Sequence, residues 1–238
     1  MHEHSFFVAP ENQDENFVYI KGDEYRHCCN VLRKSEGAEV LVFDGQGNRK
    51  KVKLIEEQNK SVKARVLKIY PKRENEQPSI ILGVGIVRNK AMKRIIDQAT
   101  SLGIEKFYPL KMQNCIKYNF KRDKFVKKSI QAAKQSGNAT LPEINNATSL
   151  KEWFSKTQNL ALKLIALQDS EQSIADINKT NPGIESIGVM VGPEGGFHDR
   201  EIEQARDAGF VPVNISPYRL RAELAVTNIL SGIYHLND

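Results

Sequence analysis

Apolar positions follow two regimes along the chain. Up to about Tyr70 they alternate with polar residues or run in short β-branched stretches, at Phe17 to Ile20, Val40 to Phe43, Lys51 to Ile55 and Val62 to Tyr70. Such period-2 runs bounded by turn residues predict strands. Asp44-Gly45-Gln46-Gly47-Asn48 reads as a hairpin turn, because two glycines can take the positive φ values such turns require. One helical stretch is expected at about Asp23 to Leu32, and a small β-barrel is the architecture these strands predict. Pro71-Lys72-Arg73-Glu74-Asn75-Glu76-Gln77-Pro78 is a polar, proline-bounded linker.

Beyond it the pattern changes. Ile80 to Val87, Lys106 to Leu110, Asn159 to Leu167, Ile187 to Val191 and Val211 to Ile215 read as strands. Between them lie helical stretches: Lys90 to Leu102, closed by Gly103, then Asp123 to Ser136, Leu150 to Lys156 and Asp199 to Ala208. A last helix is expected from Glu223 to Leu236. Alternation of this kind predicts a parallel α/β sheet covered on both faces. The chain of 238 residues divides on this reading into residues 1–72 and 73–238.

The most informative turn is Gly192-Pro193-Glu194-Gly195-Gly196-Phe197, which follows a buried strand. Three glycines in five positions allow positive φ and a wall without side chains, so backbone can approach a ligand closely. The same turn also reads as a tight strand-to-helix connection. A second strand end, Ile215-Ser216-Pro217-Tyr218-Arg219-Leu220-Arg221-Ala222-Glu223, carries two arginines and a glutamate into the last helix. Ligands of open α/β sheets bind outside the carboxyl ends of strands, so the two loops suggest one site.

Composition narrows the classes. No stretch approaches the roughly 20 apolar residues of a membrane span, and Met1-His2-Glu3-His4-Ser5 lacks the basic and apolar regions of a secretory signal, so a cytoplasmic location is expected. Cys28, Cys29 and Cys115 are too few and too irregular for a disulfide framework or a zinc site, and the five histidines form no ligand pattern; no metal is expected. Charge is uneven. Arg88 to Lys134 holds thirteen Lys/Arg against three acidic residues, whereas Gln135 to Asp238 holds eight against thirteen. A basic segment interleaved with Tyr108, Tyr118 and Phe120 points to a polyanion, RNA above all; a single run such as Lys121-Arg122-Asp123-Lys124 also reads as a solvated helix face.

The two loops resemble the cofactor loops of the RsmE family of knotted SPOUT methyltransferases, which methylate N3 of a uridine in 16S ribosomal RNA of the bacterial small subunit. Gly192 to Gly196 matches the first loop, and Pro217, Leu220, Arg221, Glu223 and Ala225 match the second. Ser216, Tyr218, Arg219, Ala222 and Leu224 depart from it. Upstream, His27 with Val31-Leu32-Arg33, Gly37 and Asp44 to Gly47 are similar to the family's amino-terminal pattern. Lys90, Arg94, Ala99-Thr100, Leu102-Gly103, Pro109, Lys134 to Gly137 and Leu141 to Ile144 fit its catalytic domain. Ser101, Asn114 and Asn138 replace charged residues there, which implies neutral contacts in place of ion pairs.

The resemblance implies a SPOUT-type α/β domain with a trefoil knot, preceded by a small PUA-like β-barrel domain that binds RNA. It implies S-adenosylmethionine as methyl donor, held by Leu167, Gly192, Pro193, Glu194, Gly195, Gly196, Ile215, Pro217, Leu220 and Arg221. Arg221 would neutralise the developing uracil anion and Glu223 would handle the N3 proton. Arg26, His27, Arg33, Lys90, Arg94, Lys121 and Arg122 would contact RNA, and the protein would be a homodimer working on the small ribosomal subunit. Two other readings stay open: a catalytically weakened RNA-binding relative, suggested by Ala222 and Leu224, and a SPOUT methyltransferase acting on transfer RNA.

Overall fold

A computed structural model describes residues 4–72, 78–117, 120–180 and 183–234 of the chain. The interior of the linker, Tyr118 and the end of the last expected helix beyond Tyr234 lie outside the described residues. The chain forms two compact units, one of residues 1–74 with 133–141 and one of residues 75–132 with 142–238.

The first unit contains β1 (Ser5–Phe7), a 3-10 turn at Pro10–Asn12, β2 (Phe17–Lys21), α1 (Gly22–Tyr25), β3 (Glu39–Phe43), β4 (Arg49–Gln58) and β5 (Ser61–Tyr70). The strands pair in the order β1-β3-β4-β5-β2, with β1 parallel to β3 and the other pairs antiparallel. Alternation sends Phe6, Val18, Ile20, Val40, Val52, Leu54 and Val62 into one core. Gly45 and Gly47 take φ values of 79° and 108° in the β3–β4 turn, as the hairpin reading requires. The helix expected over Asp23 to Leu32 differs in kind: after α1 the chain widens into a π-helical stretch, Arg26–Val31, and leaves it through Arg33 at φ 53°. Strand β1 carries no sequence signal, because three residues are too few for a period to show.

His27 lies on that π-helical stretch. Lys134, from the second segment of the same unit, places Nζ 2.8 and 3.0 Å from the two Glu24 carboxylate oxygens and 3.1 Å from His27 Nδ1. The Phe6 ring lies 5.7 Å from the imidazole and 5.3 Å from the ammonium. Burial, and after it the Lys134 charge, push the imidazole below its ordinary value of 6.5, with Glu24 opposing and the exposed His4 adding to the depression. A histidine kept neutral by the fold binds fewer protons than in the unfolded chain, so its contribution to stability is present above 6.5 and is lost as pH falls below it. Melting curves taken between about pH 7 and about pH 5 should therefore show less acid destabilisation in His27→Gln than in the wild type. Parallel curves for the two proteins would refute this.

The second unit contains β6 (Ser79–Gly85), α2 (Asn89–Ser101), β7 (Lys106–Lys111), α3 (Arg122–Ser136, its last turn belonging to the first unit), β8 (Glu143–Ile144), β9 (Thr148–Ser149), α4 (Leu150–Thr157), β10 (Leu162–Ala166), α5 (Ile174–Thr180), β11 (Ser186–Val191), α6 (Asp199–Asp207), β12 (Val211–Val213) and α7 (Ala222–Tyr234). All described pairings are parallel, in the order β12-β10-β11-β6-β7-β8 with β9 beside β7. Both faces are covered. Ile80, Leu82 and Val84 join Ile95, Val226 and Ile229 on one side, while Ile81, Ile165 and Met190 join Trp153, Ala205 and Phe210 on the other. That explains the continuous apolar runs of β6 and β11.

Helix α5 and the two-residue strands β8 and β9 carry no periodic sequence signal of their own. Helix α5 is anchored on the core through Ile177, with Ile174 packed beside it, too sparse a pattern to register as a period. Its first turn is set by Ser173, whose hydroxyl donates to Asp176 at 2.6 Å and accepts from the Asp176 N–H at 3.2 Å. Strand β12 stops at Val213 instead of Ile215 because Asn214 bonds to the loop after β10: its N–H donates to the Gln172 carbonyl at 2.7 Å, and its side chain donates to the Gln168 carbonyl and accepts from the Ser216 N–H.

Candidate functional site at the carboxyl ends of the parallel strands

Because the strands are parallel, β12, β10, β11, β6 and β7 all end at one edge of the sheet. The loops after three neighbours, β12, β10 and β11, are the three that carry the expected cofactor residues. Chain direction reverses between β6 and β11: β6 leads through α2 outward to β7, whereas β11 leads through α6 to β12 at the opposite edge. Such a switch point leaves a crevice, because adjacent connections diverge.

The loops are tied together by named bonds. The Leu167 N–H donates to the Val213 carbonyl at 3.0 Å, and Asn214 Nδ2 to the Gln168 carbonyl at 2.8 Å. Arg219 donates to the Glu194 carbonyl at 3.2 Å, joining the loop after β12 to the glycine turn after β11. From the β6 side, the Arg88 N–H points at a Glu194 carboxylate oxygen at 3.4 Å. Beyond β7, Asn114 donates to the Gly196 carbonyl at 3.2 Å and reaches the Gly195 carbonyl at 3.4 Å. Glycine turn, arginine loop and two further strand ends thus form one cluster.

The glycines of that turn do different work. Only Gly196 has positive φ, at 76°, and a Cβ there would meet nothing within 4 Å, so this residue bounds open space. The expected positive φ does not hold for Gly192 and Gly195; both are needed for room. A Cβ on Gly192 would stand 3.0 Å from the Phe197 ring, and one on Gly195 2.9 Å from Asn114 Cβ. Pro193 is buried against Gly85, the last residue of β6, whereas Glu194 is exposed.

Of the remaining expected residues, Leu167, Ile215 and Leu220 are half-buried around the loops, and Pro217 and Arg221 are exposed. Glu223 is 8% exposed in the first turn of α7, and its partner is Arg94 of α2 at 3.4 Å, not Arg221. A helix-start ion pair between Arg221 and Glu223 is therefore absent among the described contacts. Lys90, Lys121 and Arg122 are exposed in the second unit, with Arg122 Nε donating to the Ile144 carbonyl at 2.6 Å. In the first unit Arg26 and Arg33 are exposed and His27 is half-buried in the cluster with Lys134.

Two supporting residues had no sequence signal strong enough to find. Glu201, a buried carboxylate on α6, accepts from the Gln113 N–H at 2.7 Å and from the His198 N–H at 2.9 Å, fixing the segment that carries Asn114. A capping box with histidine at the N-cap is its only trace, and histidine is not among the usual caps. Gly85 was hidden within an apolar strand. Burial pushes the Cys28 thiol up to about 12 and raises that of Cys115 above its ordinary value, which suits neither to nucleophilic chemistry. Among the described residues no His/Cys/Asp/Glu group is arranged to hold a metal ion, and no helix is long and apolar enough to cross a membrane.

A doubly covered parallel sheet with a glycine-walled loop cluster at its switch point defines an α/β ligand-binding domain. Comparison with known proteins narrows this. Residues 73–233 match the family described as RNA methyltransferase domain, and residues 20–67 match the RNA methyltransferase PUA domain. The chain belongs to this RNA methyltransferase family. It is 25% identical over 231 residues to ribosomal RNA small subunit methyltransferase E of Bacillus subtilis, covering 92% of this chain and 90% of that protein. The corresponding protein of Mesomycoplasma hyopneumoniae is 26% identical, with 95% and 96% covered. A crystal structure of ribosomal RNA small subunit methyltransferase E from Neisseria gonorrhoeae bound to S-adenosyl methionine superposes with a TM-score of 0.90 at 26% identity, covering 99% of this chain and 98% of that one. The expected fold class, a PUA-like β domain followed by a SPOUT-type α/β domain, is borne out.

Proposed function

We propose that this protein is an S-adenosylmethionine-dependent methyltransferase that modifies N3 of a uridine in 16S ribosomal RNA of the small subunit. The observation that carries the reading is the joining of the glycine turn to the arginine loop through Arg219 and the Glu194 carbonyl, at the switch point of the sheet. The cradle fits the donor: Gly196 bounds open space, Gly192, Gly195 and Gly196 keep the wall of the turn thin, and half-buried Leu167, Ile215 and Leu220 supply apolar surface for an adenine. When bound, the donor supplies an electrophilic methyl group. Glu194 adds a carboxylate at the turn, the Arg221 guanidinium favours negative charge on the uracil ring, and Glu223 takes the N3 proton. Pairing with Arg94 at 3.4 Å fixes the direction of that carboxylate.

Residues 1–72 serve as the RNA-holding domain and residues 73–238 as the transferase, with the carboxy-terminal segment threaded as a trefoil knot. The protein acts in the cytoplasm as a homodimer, a state favoured by Tyr218 and Leu224, which are 78% and 51% exposed beside the arginine loop. Ala222 packs in the main core and Leu224 faces outward, so neither departure from the family pattern leaves a polar group stranded. This argues against a catalytically weakened relative.

Calorimetric titration with S-adenosylmethionine should give one saturable site per chain, and mass spectrometry of 16S RNA from a deletion strain should show one uridine without its N3 methyl group. A chain that binds no donor, or unchanged 16S RNA with altered transfer RNA, would overturn the proposal.

A further inference from the structure

In the first unit, the face of the sheet turned away from the core carries a pattern that the carboxyl-end loops do not use. Register sets its rows: Phe17 stands opposite Arg65 and Arg65 opposite Lys53, Tyr19 stands opposite Lys63, and Lys68 stands opposite Lys51. The intervening residues Val18, Ile20, Val52, Leu54, Val62 and Ala64 fill the core, so alternation forces this set outward. Cations and rings are in contact there. Lys63 Nζ lies 4.1 Å from the Phe17 ring centroid and 5.9 Å from that of Tyr19, Lys21 lies 5.8 Å from Tyr19, and Lys68 lies 4.8 Å from Tyr70.

Charge on this face is one-sided. Lys21, Lys51, Lys53, Lys63, Arg65 and Lys68 outnumber Glu39, paired with Lys51 at 2.8 Å and opposite Lys53, Glu56, opposite Lys63, and Asp14, whose carboxylate interacts with Lys63 from the Phe17 end. A core-directed reason for the rings is missing, since Phe17 and Tyr19 lie on the opposite side from the apolar cluster and remain partly exposed. Leu67, at the β4–β5 irregularity, adds exposed apolar surface next to the cations.

We propose that this face is a docking platform for single-stranded RNA, with bases stacking on Phe17, Tyr19 and Tyr70 while Lys53, Lys63, Arg65 and Lys68 pair with the phosphates. Rings select a single strand, because a duplex hides its base faces and offers only phosphates and grooves, whereas alternating cations and half-exposed rings match the alternation of phosphate and base. The proposal rests on the RNA-directed reading above in taking RNA as the partner and the first domain as the part that holds it; it adds which surface of that domain is used and which form of RNA it takes.

The test is fluorescence anisotropy of the full chain with a labelled single-stranded RNA of ~12 nucleotides and with the same sequence as a duplex, across a range of salt. Single strand should bind about tenfold more tightly than duplex, since stacking adds to charge only there. The pair Lys53→Glu with Arg65→Glu, both at exposed positions, should lose at least about tenfold and lower the salt slope by about 1.4, from about 0.7 per phosphate contact on a single strand. Tyr19→Ser should lose single-strand affinity with the slope unchanged. Wild-type affinity in all variants, equal binding of duplex and single strand, or binding of an acidic protein in place of RNA would each overturn the proposal. Melting curves of the same variants confirm that they are folded, and calorimetry with S-adenosylmethionine reports on the donor site of the second unit. It also separates the two ideas: a wild type that binds no donor but prefers single-stranded RNA on this face defeats only the enzymatic reading.

Discussion

Gly85→Ala is expected to lower the affinity for S-adenosylmethionine by about tenfold to a hundredfold while leaving the sheet intact. Gly85 closes β6, where a Cβ would lie 2.5 Å from Pro193 Cδ, 2.7 Å from Pro193 N and 3.0 Å from Met112 Sδ. Two of these atoms belong to a proline, whose ring and backbone cannot swing aside as a long side chain can, so the glycine turn itself must move. Overpacking of this kind costs about 1–3 kcal/mol. If the turn shifts to avoid that cost, its binding-competent form is depopulated by the same factor, about one decade per 1.4 kcal/mol, and the apparent affinity falls with it. Gly188→Ala is the control on the neighbouring strand: its Cβ would meet Leu160 Cδ1 at 2.9 Å, the far end of a flexible side chain, and donor affinity should hardly change. Calorimetric titration of both variants beside their melting curves decides the matter; wild-type affinity in Gly85→Ala would mean that the turn is not the cradle.

Arg221→Ala should reduce methyl transfer by about 10²–10³-fold, the loss usual when one group stabilising a developing anion is removed. The side chain is exposed, and it makes no pair with Glu223, which is engaged by Arg94. Its removal therefore leaves no buried partner unsatisfied, and melting temperature should stay within the range of ordinary surface substitutions. Arg219→Ala differs in kind, since it breaks the bond to the Glu194 carbonyl and should weaken donor binding in addition to turnover. Single-turnover assays on isolated small subunits with radiolabelled donor measure the step directly. Undiminished turnover in Arg221→Ala would reduce that arginine to a surface charge.

Much of this architecture could be read along the chain because its signals are local. Apolar runs at Ile80 to Val87 and Ile187 to Val191 marked strands buried on both faces, and the paired glycines at 45 and 47 marked a hairpin. Boundaries drifted where side chains from elsewhere decide them. Asn214 ends β12 early because its amide reaches Gln168, a contact between residues 46 positions apart. The candidate site divides in the same way. Its two loops were visible as glycine and arginine clusters, whereas Glu201, Asn114 and Gly85 support them through bonds and clearances that join separate strand ends. The outward sheet face was equally silent, since Phe17, Arg65 and Lys53 become neighbours only through strand register.

Period, turn chemistry and charge are properties of residues close together in the chain, so the sequence by itself determined two successive folding patterns, the glycine turn and a basic middle segment. Proximity between distant segments depends on strand order and on which atoms find room. Tertiary structure alone therefore decided that Glu223 pairs with Arg94, that Arg219 holds the Glu194 carbonyl, and that Gly85 makes space for Pro193.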